Sequence, residues 1–262
     1  MAVLTAPAAG RPPVFGGVNT TLLRYELRRR FNRQTTVFTL LLPAVLYLAL
    51  FHTAPQHVTM PDGNFAAWMM IGIAVYGAAM AATSSAATIA VERSTGWTRT
   101  IALTPLTPPG YLFVKVLSSV AMAAVPVLIV GLLGLLTGAQ AGPEVWVTAL
   151  LVAWLGSAVF AALGIAMGLA LKPEVVMHMP GLTMTALAFL GNLFIPLSGT
   201  MLAVSRFTPM YGVSTLARYP LTGGYDFAGE HSSVSGALFN LLAWFVGFSF
   251  LAIRRFAKST AR

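Results

Sequence analysis

The sequence predicts an all-α integral membrane protein with six transmembrane helices, and three observations carry that reading. The first is composition. Of 262 residues, 57% are hydrophobic and 9% charged, with a mean hydropathy of +0.78, whereas a soluble domain carries about 25% charged residues. The second is a series of apolar runs at about residues 35–53, 64–90, 110–137, 144–171, 179–198 and 234–253, close to or above the ~20 residues that cross a bilayer. The third is charge. Six spans put both termini on one side, and 14 of the 16 basic residues then share that side, leaving Arg206 and Arg218 alone across the membrane. The positive-inside rule places both termini in the cytoplasm of a multi-pass plasma-membrane protein. The net charge of +9 therefore reads as orientation, and no nucleic-acid partner is expected.

Residues 1–17 are rich in Ala, Pro and Gly without a long apolar core, so they read as a flexible cytoplasmic tail and not as a signal peptide. Residues 18–262 read as a single six-span domain. Asn19 or Thr20 is placed to cap a helix through Arg33, with Leu22, Leu23, Leu27 and Phe31 on one side. Arg24, Arg28, Arg29 and Arg30 occupy the rest, and such a helix lies along the inner leaflet with its arginines on lipid phosphates. The same helix is an elbow that could also touch a cytoplasmic partner.

Pro43 in span 1 and Pro126 in span 3 are expected to kink their helices. Gly156, Gly164 and Gly168 in span 4, with Gly134 and Gly138 at the end of span 3, read as close internal packing. Span 5 holds Asn192 and Pro196, which fit a helix that breaks near the outer surface. The segment that follows, Gly199–Ser233, carries Phe207, Met210, Tyr211, Val213, Leu216, Tyr219 and Leu221, more apolar surface than a solvated loop needs. It reads as an outer helical hairpin packed on protein. Pro209 and Pro220 are expected to fix its breaks. Arg206 and Arg218 either reach headgroups and water or pair with Asp226 or Glu230.

Between spans 2 and 3 lies ERSTGWTRTIALTP, Glu92 to Pro105, a short helix-forming segment at the cytoplasmic surface. It ends in Thr104-Pro105, and Pro108-Pro109-Gly110 follow. A structured knob between two spans has a use if something docks on it.

Several chemistries are excluded. With no cysteine, disulfides, thiolate metal sites and cysteine nucleophiles fall away. No lysine stands in a Gly-Lys-Ser/Thr sequence, so the chain binds no nucleotide phosphate through a P-loop. The spans hold almost no carboxylate or histidine away from their ends. His52 comes nearest, so a proton or sodium relay is not expected. Ser157 could be an intramembrane nucleophile, but His52, His57, His178 and His231 all lie near surfaces, where none serves it as a base. No two histidines have metal-ligand spacing.

The chain resembles the type-2 permease subunits of ABC exporters, the drug- and polysaccharide-export branch. The resemblance runs over nearly its full length. Its sharpest piece is the family's Glu-Arg-Glu-x-Gly-Thr-x-Glu with a later Thr-Pro, matched by Glu92, Arg93, Gly96, Thr104 and Pro105. Ser94, Trp97 and Arg99 depart from it, replacing an acid, a threonine and an acid. The resemblance implies a coupling helix over residues 92–103, with Glu92, Arg93, Gly96, Trp97, Arg99, Thr104 and Pro105 docking an ATP-binding subunit. Trp97 would be its apolar anchor.

It further implies a non-catalytic chain that holds no cofactor, with ATP and Mg on the partner. Two ATP-binding subunits would join two permeases, either two copies of this chain or one copy with a related chain. The outer hairpin, through Arg206, Pro209, Tyr211, Leu216, Arg218 and Pro220, is the candidate outer gate. Met69, Met70, Met80, Trp154, Phe189 and Phe194 suit a hydrophobic or amphiphilic cargo such as a drug, antibiotic or lipid-like compound. A non-transporting anchor or sensor subunit, and a polysaccharide or glycolipid permease, are the other readings.

Overall fold

The computed structural model describes residues 20–31, 34–51, 58–97, 106–225, 227 and 229–260. The expected tail (1–17), Arg99, Thr104, Pro105 and Asp226 lie outside them, as do the side chains of Arg29 and Arg30. In chain order the elements are α1 (Thr20–Phe31), α2 (Gln34–Phe51), β1 (Thr59–Met60), β2 (Gly63–Asn64), α3 (Phe65–Ala87), α4 (Ile89–Ser94), α5 (Pro108–Thr137), α6 (Pro143–Ala170), α7 (Pro173–Val176), α8 (Met179–Leu190), α9 (Gly199–Ser205), α10 (Pro209–Thr222) and α11 (Val234–Thr260).

Among the described residues, four helical stretches are long and apolar enough to cross a membrane: Phe65–Ser94, Pro109–Thr137, Pro143–Ala170 and Val234–Ala257. Two shorter apolar helices, Leu41–Phe51 and Met179–Leu190, stand where the first and fifth spans are expected. α3 is the buried centre. It is rich in alanine, with Ala67, Ala74, Ala78, Ala79 and Ala82 fully enclosed, and it packs on both α5 and α6. Between helices with no water to expel, small side chains gain van der Waals contact by close approach.

The glycines of α6 serve that approach. A Cβ on Gly164 would meet the Thr83 carbonyl and lie 2.9 Å from the Ala86 Cβ, and one on Gly168 would lie 2.6 Å from the Ala87 carbonyl oxygen. Gly156 faces Val213 of α10 in the same way. Pro43 of α2 and Pro126 of α5 converge on Gly77 of α3, where a Cβ would lie 2.9 and 3.1 Å from their side chains.

At one end of the bundle, Asn64 caps α3 by accepting from the Ala67 N–H at 2.9 Å. Its side chain also donates to the Gly138 carbonyl and accepts from the Gln140 N–H. Gly138 closes α5 in the left-handed region at φ 92°, which glycine adopts without Cβ strain.

Two expectations are corrected. The fifth span was read over 179–198, but α8 stops at Leu190 and is about 18 Å long at 1.5 Å per residue. Asn192 then turns into the left-handed region at φ 57°. Pro220 does not separate two helices: it lies inside α10, which ends two residues later at Thr222 with Gly223 as its cap, because a proline this near a C-terminus removes one backbone bond without stopping the helix. Pro108-Pro109 is the first turn of α5, capped by Thr107, where a missing N–H costs nothing.

The α3–α6 contact yields a prediction. Gly164→Ala should destabilise the chain by about 1–3 kcal/mol, the usual cost of overpacking, because the added methyl meets backbone. Thermal unfolding in detergent reads it. An unchanged melting temperature would show that the two helices are not held this closely.

Candidate functional site

At the basic end of the bundle, three elements meet on one ammonium group. Lys115 of α5 is fully buried, as are Glu26 of α1 and Glu92 of α4. Its Nζ donates to both carboxylate oxygens of Glu26 at 2.9 Å and to Oε1 of Glu92 at 2.5 Å. The Tyr111 hydroxyl donates to the other Glu92 oxygen. Tyr111 and Lys115 are four apart on one helix, which puts them on the same face, and the ammonium lies 5.5 Å from the Tyr111 ring.

Charges this deep lose their hydration. Their attraction offsets that loss only when every partner is in place, and removing one partner typically costs about 3–5 kcal/mol. The cluster therefore fixes α1, α4 and the start of α5 as one body.

Neighbouring contacts extend that body. Arg93 donates to the Leu169 carbonyl at 2.7 Å and the Leu171 carbonyl at 3.3 Å, covering the free carbonyls at the end of α6, where a cation is favoured. Gly96, at φ 77°, turns the chain after α4. Trp97 then stacks on Tyr25 of α1 with ring centroids 6.3 Å apart, while its indole N–H is buried without a partner. Phe256 of α11 reaches Tyr111 at 5.9 Å. The arrangement brings side chains from four helices to one joint and connects it to the end of a fifth.

This geometry changes the expected roles of two residues. Glu92 and Arg93 were read as charged contacts for a docking subunit. Glu92 instead points inward to Lys115, and Arg93 is held by the end of α6. α4 begins at Ile89 and forms one helical stretch with α3, Phe65–Ser94, so Glu92 lies at the end of that stretch and does not start a separate helix. Trp97 is half-buried against α1. Arg24 and Arg28 are exposed, as a helix lying on a charged surface needs.

Glu26 and Lys115 were missed as a site. The signal was present, because Glu26 is a lone acid among arginines and Lys115 stands inside an apolar run.

A family model described as ABC-2 type transporter matches residues 18–218, well over half of the chain. The chain belongs to the ABC-2 type transporter family. No curated protein matches it. It is thus the membrane-embedded permease component of a type-2 ABC transporter, a family whose members typically work with an ATP-binding subunit.

At the opposite end of the permease, the expected gate residues are divided. Arg206 is exposed and pairs with Glu230 at 2.6 Å. Partial burial lowers its guanidinium, but Tyr211 and Glu230 raise it by more, so the net shift is upward from the ordinary value. Pro209 opens α10, and Tyr211 is bonded to Ser232 at 2.8 Å. Leu216 is half-buried. Arg218 neither reaches water nor pairs with Glu230: it is buried and bonded to backbone carbonyls.

Among the described residues no group of three His, Asp or Glu side chains could hold a metal ion. The Ser157 hydroxyl donates to the Trp154 carbonyl of its own helix.

The charge cluster predicts a specific pattern. Lys115→Met should destabilise the permease by about 3–5 kcal/mol, because two carboxylates are left facing each other. Adding Glu26→Gln and Glu92→Gln should recover most of the loss. Unfolding in detergent measures both. A triple variant no more stable than Lys115→Met would refute the cluster as the joint.

Proposed function

We propose that the chain is the transmembrane subunit of an ATP-driven exporter. Two copies, or one copy and a related permease, would act with two ATP-binding subunits that hold ATP and Mg. In this reading six helices cross the plasma membrane, with α2 and α8 completing the four longer ones, and both termini are cytoplasmic.

The observation that carries the reading is the joint around Lys115. The segment after span 2 is not a loose connection. It is locked to the elbow helix through Glu26 and Tyr25, to span 3 through Lys115 and to the end of span 4 through Arg93. A partner that presses on residues 97–105 therefore moves three helices together, as a rigid-body transition requires. Because Glu92 is spent inside the joint, the docking surface falls to Trp97, Arg99, Thr104 and Pro105 and to the exposed arginines of α1.

Cargo is proposed to be hydrophobic or amphiphilic. Beside the joint, a cleft of about 490 Å³ is lined by Glu174, Val175, His178, Met179 and Leu182, a size that suits a small molecule. From it the face of α8 continues through exposed Leu182 and Phe189 to an aromatic run of Phe189, Phe194 and Tyr76 with centroids 5.4 and 5.0 Å apart. An apolar wall with one carboxylate at its inner mouth suits an amphiphile entering from the inner leaflet.

Two experiments test this. The purified chain should hydrolyse no ATP alone, and with its ATP-binding subunit it should expel a lipophilic dye from vesicles only when ATP is present. Hydrolysis by the chain alone, or dye release without ATP, would end the proposal. Trp97→Ala should weaken co-purification of the ATP-binding subunit by about 2 kcal/mol, roughly 30-fold in Kd, while the chain still inserts. Full retention of the subunit would remove Trp97 from the docking surface.

A further inference from the structure

The bundle's other buried cation has no carboxylate. Arg218 of α10 is 5% exposed. Its Nε donates to the Trp68 carbonyl at 3.3 Å, its Nη1 to the Asn192 carbonyl at 2.8 Å and its Nη2 to the Leu193 carbonyl at 2.7 Å. Ser214 Oγ stands 3.5 Å from Nη1. The guanidinium lies over the Trp68 ring, its carbon 3.5 Å from the ring centroid, a position in which a cation is attracted to an aromatic face.

The sequence explains why these carbonyls are free. In a continuing helix Asn192 and Leu193 would accept from residues 196 and 197. Residue 196 is proline and has no N–H, and the Leu197 N–H is taken by the Asn192 side chain at 2.8 Å. Two carbonyls are thus left inside the protein without helical donors, an arrangement that costs free energy unless a donor is supplied. Arg218 supplies both from another element.

Gly72 makes the space: a Cβ there would meet Arg218 Nη2 and lie 2.9 Å from the Leu193 oxygen. One side chain therefore joins the broken end of α8, the first turns of α3 and α10.

We propose that Arg218 is a positioning residue for export that holds the exit end of the permease shut. It rests on the reading that residues 191–233 lie at that end. Passage of cargo parts α8 from α10, and the bonds that part are those from the guanidinium to Asn192 and Leu193. These are bonds to neutral carbonyls and not to a carboxylate, so water or a neighbouring hydroxyl can replace them at moderate cost.

The test uses the absence of native cysteine. Leu193 is 1% exposed, and Leu193→Cys leaves its carbonyl in place. In whole cells carrying the full transporter, this thiol should react slowly with a membrane-impermeant sulfonated maleimide. Adding Arg218→Gln should raise the rate at least ten-fold. Arg218→Lys, which keeps the charge but reaches fewer carbonyls, should fall between. Co-purification of the ATP-binding subunit, governed at the opposite end, should stay unchanged.

Equal labelling rates in all three backgrounds would overturn the proposal. So would loss of the ATP-binding subunit together with faster labelling, since that would mean general loosening. If neither Arg218 variant reaches the membrane, the residue serves assembly and the proposal also fails. None of these readouts needs transport to occur, so the exporter reading stands or falls separately.

Discussion

Lys115 remains buried because two carboxylates carried by separate parts of the chain converge on it. Neither Glu26 nor Glu92 belongs to the helix that carries the lysine, so the cluster forms only when α1 has docked and α4 has been placed. A bundle that buries polar groups must give each one a partner, and here that requirement becomes an assembly rule. Once the ammonium is satisfied, α1 is fixed to the start of α5. Arg93 and Trp97 then follow within a few residues of Glu92, and each ties a further element to the same point.

Arg218 solves the same problem by different means. Its charge is shared among carbonyls that a helix break has left free, and it rests on an indole face. The two ends of the permease thus hold their buried cations differently, one through carboxylates and the other through neutral carbonyls. In the proposed exporter, the end that receives the push is the one braced by carboxylates, and the end that releases cargo is the one held through carbonyls. The small residues of α3 let both arrangements fit into one bundle by bringing α5 and α6 close to its backbone.

Much of this fold could be read from the chain, and its limits are physical. The boundaries of α3, α5 and α6 fall within a few residues of the apolar runs that predict them, because hydropathy and the Asn64, Thr107 and Gly138 caps act locally. α11 extends to Thr260, past the apolar run, because a helix need not end where hydropathy does. The fifth apolar run extends eight residues beyond Met179–Leu190, past the break that Asn192 and Pro196 mark.

The cluster itself was not legible from pairwise spacing. Glu26 and Lys115 lie 89 positions apart, and no local pattern links them. Arg218 could have been placed better. Positions 210, 213, 217 and 221 are all fully buried, and residue 218 lies on the edge of that helical stripe, where a cation without an acid must find carbonyls or a ring.

The two ends are connected by one continuous element. Residues Phe65–Ser94 form a 30-residue helical stretch, about 45 Å long at 1.5 Å per residue. Trp68, which carries Arg218, stands in its first turn, and Glu92, which carries Lys115, in its last. Its two parts, α3 and α4, meet at Thr88, whose N–H and hydroxyl both donate to the Ser85 carbonyl. In the proposed exporter, a tilt imposed through Glu92 and Arg93 would reach Trp68 as a displacement of the ring and carbonyl beneath the guanidinium. Gly164 and Gly168 hold this helix against α6 along the half that carries Glu92, so the proposed motion would be taken up beyond the contact. The outer turns of α3, where Gly72 leaves room for the guanidinium, are then the part of the helix with space to move.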